Sequence, residues 1–152
     1  MSGASFVLAI NMFVAGLFSL AFFLVALNNK TDQVAVWFGT AYLCGVGYFV
    51  FEFILPLQPN SKLGGMLAFT SFLAAMATVT VGIARRYRRP VPWRTIAMIC
   101  TLSVLANWIA FELPRESLWR MYAYQTPYAV MPAIAVWIIA RSGRQQPLDL
   151  GL

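Results

Sequence analysis

Apolar residues fill this chain in five long runs, each separated from the next by a short polar break. The first runs from about Phe6 to Leu27, roughly 22 residues, and a helix of that length crosses a hydrocarbon core about 30 Å thick. Residues Met1 to Ser5 bring no charge to its start, so it reads as a retained helix and not as a secretory signal. Asn28 to Gln33 form a polar turn, and the second run extends from Val34 to Pro56 with Trp37 near its opening, at the depth of an aromatic belt. Ala41, Gly45 and Gly47 in this run are small enough to let another helix approach closely. A turn around Pro59 and Asn60 leads to the third run, Leu63 to Ala84, where Ala74, Thr78 and Gly82 recur every four residues and share a face. The fourth run spans Thr95 to Leu113 and is stopped by Pro114; the fifth spans Met121 to Ala140 and should bend at Pro127 and Pro132. The prediction is all-α: one polytopic integral membrane bundle over residues 1–152, with transmembrane helices at about 6–27, 34–56, 63–84, 95–113 and 121–140.

Composition agrees. Hydrophobic residues make up 61% of the chain and charged ones only 11%, far from the roughly quarter-charged make-up of soluble domains. The net charge of +6 does not call for a nucleic-acid partner, because the positive residues lie in short breaks beside apolar runs. Five of the eleven cations, Arg85, Arg86, Arg88, Arg89 and Arg94, fall between the third and fourth runs. Such a cluster is retained on the cytoplasmic side. With it inside, Lys30, Arg141 and Arg144 are inside as well, making eight cations there against three outside, Lys62, Arg115 and Arg120. The expected orientation is an outside N-terminus and a cytoplasmic C-terminus. The cluster can also attract anionic lipid headgroups, although topology alone accounts for it.

The candidate chemistry is sparse. Histidine is absent, which removes the usual haem ligand, metal ligand and general base. Cys44 and Cys100 lie inside apolar runs, where no disulfide is expected. No nucleophile-and-base pair, phosphate-cradling glycine loop or metal-ligand cluster is present, so neither a cofactor nor an enzymatic activity is expected. Two acids remain at costly depths: Glu52 in Phe51-Glu52-Phe53-Ile54-Leu55-Pro56 and Glu112 in Phe111-Glu112-Leu113-Pro114. The shared pattern, 60 residues apart, suggests a weak repeat of the first two spans in the next two. Acids at membrane depth usually mark function, but either glutamate can instead sit near enough to the interface to reach water. Arg115, Trp119, Arg120, Tyr122 and Gln125, with Tyr124 and Tyr128, surround the same outer rim. They can form a ligand pocket, or an aromatic belt with snorkelling arginines. Asn107, mid-run, suits an interhelical hydrogen bond.

The opening Phe6-Val7-Leu8-Ala9-Ile10-Asn11-Met12-Phe13, the Trp37-Phe38 and Phe51-Glu52 of the second run, and Tyr124-Gln125-Thr126-Pro127-Tyr128-Ala129-Val130-Met131 resemble the N-terminal membrane regions of alphaproteobacterial GGDEF-type diguanylate cyclases. That resemblance implies a bacterial inner membrane, an outside N-terminus, about seven spans and a cytoplasmic cyclase domain. The GGDEF motif is absent, and Arg144-Gln145-Gln146-Pro147-Leu148-Asp149-Leu150 is similar to the lead-in to a sixth helix, so the expectation is a chain cut before that helix. It implies a sensory or signal-input module without cyclase activity. The alternative is a small accessory subunit of a larger photosynthetic or respiratory assembly, or a homo-oligomer, recruited for its packing faces. A transporter is poorly supported, because the weak repeat is parallel and lacks paired broken helices.

Overall fold

Backbone groups inside a bilayer have no water to bond, so each apolar run must satisfy its own amides, and the helix does this within a single segment. The structure, a computed structural model, describes residues 3–29, 34–55, 62–114 and 116–142. Five helices form: α1 (Gly3–Asn28), α2 (Val34–Ile54), α3 (Lys62–Arg86), α4 (Trp93–Ala110) and α5 (Leu118–Ser142). Each is long and apolar enough to cross a membrane. Lys30, Pro56, Pro59, Asn60, Arg115, Arg144 and the Pro147–Leu152 tail lie outside the described residues.

The ends differ from the expected ones where local bonding decides. α4 stops at Ala110 and not at Leu113, because the amides of Glu112 and Leu113 turn back to the carbonyls of Ile109 and Ala110. α5 starts three residues early, so Leu118, Trp119 and Arg120 are helical, and it continues through both Pro127 and Pro132. Of the arginine cluster, Arg85 and Arg86 belong to the last turn of α3 and Arg94 to the first turn of α4. α3 is closed by a Schellman turn: the amide of Arg89 reaches the carbonyl of Ala84, that of Arg88 reaches Arg85, and Arg88 adopts a left-handed φ of 52°.

α3 is the axis of the bundle. It packs against α2, α4 and α5, while α4 also packs on α5, and α1 packs along α2. Phe69 and Met131 are completely enclosed, with Leu73, Val81 and Ile96 around them. Thr80 bonds back to the Met76 carbonyl within α3 and reaches the Met131 carbonyl of α5 at 3.5 Å. Asn107 of α4 donates to the sulfur of Met66 on α3, the interhelical role its position suggested.

The small residues divide by what they meet. A methyl group at Gly82 would lie 3.3 Å from Cβ of Trp37, so α2 and α3 are in close approach there. Gly45 faces open space instead. It borders a cleft of about 340 Å³ lined by Ala15, Ala41 and Ala75 with Phe38, Phe49 and Phe72. The expectation that Gly45 seats a neighbouring helix is therefore corrected; Gly39, against the ring of Phe23, does so. Ser19 completes the α1–α2 contact by donating to the Gly39 carbonyl, beneath Phe18, Phe22 and Tyr42 stacked across the two helices.

Candidate functional site: a tyrosine cluster beside Glu52

Alternation of helix direction gives the bundle two unlike ends. One gathers Arg85, Arg86, Arg88, Arg89, Arg94 and Arg141, with Trp37 against Trp93 and Arg89 donating to the Arg141 carbonyl. The other carries Glu52, Lys62, Glu112, Glu116 and Arg120.

The two glutamates have different surroundings, and the apparent repeat around them does not hold at the level of depth. Glu52 occupies the last turn of α2 and is half-buried, whereas Glu112 lies beyond α4 with its side chain three-quarters exposed. Glu112 pairs with Lys62 at the start of α3, and the Lys62 ammonium also sits 4.2 Å from the centre of the Trp108 ring. The hydrogen bond and charge of Lys62 hold the Glu112 carboxyl below the ordinary value. This is a strap between the ends of α3 and α4, with the carboxylate in water.

Glu52 instead faces hydroxyls. On α2, Tyr48 stands one turn from Glu52, on the same face; on α5, Tyr124 and Tyr128 repeat that spacing. Through Phe72 of α3 the Tyr48 ring is joined to that of Tyr128, and Tyr128 in turn to Tyr124, so one aromatic run leads from α2 to α5 beside Glu52. Aromatic rings of α3 hold the hydroxyls in place. Phe72 meets Tyr48 at 5.0 Å and Tyr128 edge-on at 4.7 Å, and Phe69 meets Tyr124 at 5.4 Å. Tyr124 and Tyr128 are themselves edge-on at 5.3 Å, the offset geometry that ring quadrupoles favour. The Tyr128 hydroxyl also reaches the Phe69 carbonyl at 3.4 Å.

Chemically this is an acid next to a chain of three neutral donors and acceptors, with no cation placed against it among the described residues. Gaining or losing a proton at Glu52 changes what the chain must solvate, so the hydroxyls can reorient in response. α2 and α5 do not pack along each other, since α3 lies between them. Tyr48 and Tyr128 thus connect the two helices through the Phe72 ring that both of them touch.

The rim pocket suggested by the sequence is not what the structure brings together. Trp119, Tyr122 and Gln125 are exposed on the opposite face of α5 from Tyr124 and Tyr128, because a spacing of three or four residues keeps each set on its own side. Arg120 caps the turn after α4 by donating to the Leu113 carbonyl at 3.0 Å and lies over the Phe111 ring at 4.4 Å. Arg115 lies outside the described residues. Tyr48 was missed from the sequence; its four-residue spacing to Glu52, matched by Tyr124 and Tyr128, was the available signal. Compared with known protein families, curated proteins and solved structures, the chain matches none.

Proposed function

We propose that the chain is a non-enzymatic signal-input module of a bacterial inner membrane, derived from the membrane region of a diguanylate cyclase. Its glutamate end faces out, and its arginine end and C-terminus face the cytoplasm. The observation that carries this reading is the aromatic run from Tyr48 through Phe72 to Tyr128 and Tyr124 beside Glu52, which links α2 to α5 through α3. A change of charge or ligation at Glu52 would act first on Tyr48, one turn away, and through Phe72 and Tyr128 would bias the position of α5, whose far end lies among the arginines. Small shifts of packed helices are an established way for a bundle to hold two states. The gathering of six arginines at one end supports the orientation.

The test is electron–electron distance measurement between spin labels at Phe53 on α2 and Tyr122 on α5, with Cys44 and Cys100 replaced by alanine. Glu52→Gln should shift the distance distribution while helix content stays unchanged, and Phe72→Ala, which removes the ring between Tyr48 and Tyr128, should broaden it. Identical distributions in the parent and both variants would remove the basis for a signalling role. The second reading, an accessory subunit of a larger photosynthetic or respiratory assembly, draws on the small-residue cleft beside Gly45, which has room for side chains from another helix. Co-migration with a large complex after mild solubilisation from the native membrane would favour it over the first.

A further inference from the structure

At the arginine end a cavity of about 190 Å³ lies between the α3–α4 loop and the last turns of α5. Its walls are Arg89, Pro90, Pro92, Trp137, Ile138 and Arg141. The Arg141 guanidinium stacks 4.5 Å over the Trp137 ring, which leaves its N–H edge free to meet an acceptor. Arg89 is brought to the same place by the Schellman turn and is held there by donating to the Arg141 backbone carbonyl. One such bond leaves a guanidinium further donors, since it has five N–H groups. Pro90 and Pro92 stiffen the loop that carries it. Two guanidinium groups are thus fixed around one opening, with a tryptophan at the depth where aromatic belts meet lipid headgroups. Two arginines lining one cavity can offer several N–H donors to a single anion, and the three or four oxygens of a phosphate can accept more of them than a carboxylate or a chloride can.

We propose that this cavity binds the phosphate of an anionic phospholipid, with Arg89 and Arg141 on the phosphate oxygens and Trp137 against the upper acyl chain or glycerol. The volume suits a headgroup, at about 30 Å³ for each water it would displace, and is below the roughly 300 Å³ at which drug-sized pockets begin. The site differs from a diffuse attraction between the arginine cluster and the membrane surface because it includes Arg141, from the far end of the chain, and omits Arg85, Arg86 and Arg94. It also holds the α3–α4 loop against α5, so an occupied site would bind those two parts together. The inference does not depend on which side of the membrane the arginines face.

The experiment uses the full chain in maltoside micelles, with native mass spectrometry and thermal unfolding as readouts, titrated separately with phosphatidylglycerol, phosphatidylcholine and inorganic phosphate. Phosphatidylglycerol should be retained and should raise the unfolding midpoint, and phosphatidylcholine should do neither. Arg141→Gln should weaken phosphatidylglycerol about tenfold, the scale of one lost charge-assisted bond. Arg86→Gln removes the same charge outside the cavity and should weaken it less than about twofold. Arg141→Gln leaves the backbone carbonyl that Arg89 uses; if it nevertheless unfolds, Arg141→Lys keeps the charge and loses the fork, and should still lose most of the affinity. Equal losses for Arg86→Gln and Arg141→Gln, or equal retention of phosphatidylcholine, would overturn the proposal. Stabilisation by inorganic phosphate that equals the lipid's and is abolished by Arg141→Gln would keep the phosphate chemistry and overturn the lipid as its source.

Discussion

Arg88 shows how single residues trade stability against charge in this chain. Its left-handed φ of 52° is the conformation that glycine adopts freely and that other residues reach only at a cost of about 1 kcal/mol. Arg88→Gly should therefore raise stability by about 1 kcal/mol in reversible detergent unfolding. Arg88→Ala, which keeps the strain and drops the charge, should bring no such gain. If glycine lowers the midpoint, the turn is held by something other than its backbone. The presence of an arginine where glycine fits better indicates that positive charge is worth more to this loop than the strain costs. A second prediction at this scale concerns Glu112. Its carboxyl is held below the ordinary value near 4.5 by Lys62, so the pair contributes fully above that pH and its contribution disappears as pH falls through the lowered value. The unfolding midpoint of the parent should exceed that of Glu112→Gln at neutral pH, and the two should converge in acid. Because the pair is exposed, added salt should shrink the gap.

Among elements, α2 and α3 approach each other closely, and two glycines test it. At Gly82 an added methyl meets Cβ of Trp37 at 3.3 Å, an atom so near its own backbone that α2 must move to make room. Gly82→Ala should cost about 1 kcal/mol by overpacking, whereas Gly45→Ala, with nothing within 4 Å, should be neutral or slightly stabilising. A melting series on both variants checks this, and equal effects would mean that the helices do not meet where Gly82 stands. From the sequence the two are indistinguishable, each a glycine within an apolar run. The reason is that lipid is as apolar as a protein core, so a membrane helix needs no polar face, and the periodicity that marks the inward side of a soluble helix is erased. The number and placing of the helices were legible, because length and hydropathy alone determine them. Their ends were legible to about three residues, where turn hydrogen bonds such as Glu112 to Ile109 decided the matter. The inner face of α5 was not: aromatic residues occur on both sides, and only the fold separates Tyr124 and Tyr128 from the exposed Trp119 and Tyr122. The sequence thus leaves the rim open between a pocket and an aromatic belt, and the exposure of Trp119 and Tyr122 matches the belt.

At the scale of the whole molecule, α3 carries the burial and fastens the bundle at both ends. Nine of its residues are buried, against three in α2 and four in α5, so displacements elsewhere are referred to it. Lys62 ties its start to the end of α4, and the turn that closes it brings Arg89 to α5. α1 has the opposite status, lying at the edge and packing along α2. In mechanical terms the helices are linked in series: a displacement of α1 passes into α2 and from there through the rings of α3 to α5, Tyr48 bearing on Phe72 and Phe72 on Tyr128. Links in series all carry the same load, so the softest of these ring contacts sets how much of an input at one edge is felt at the other.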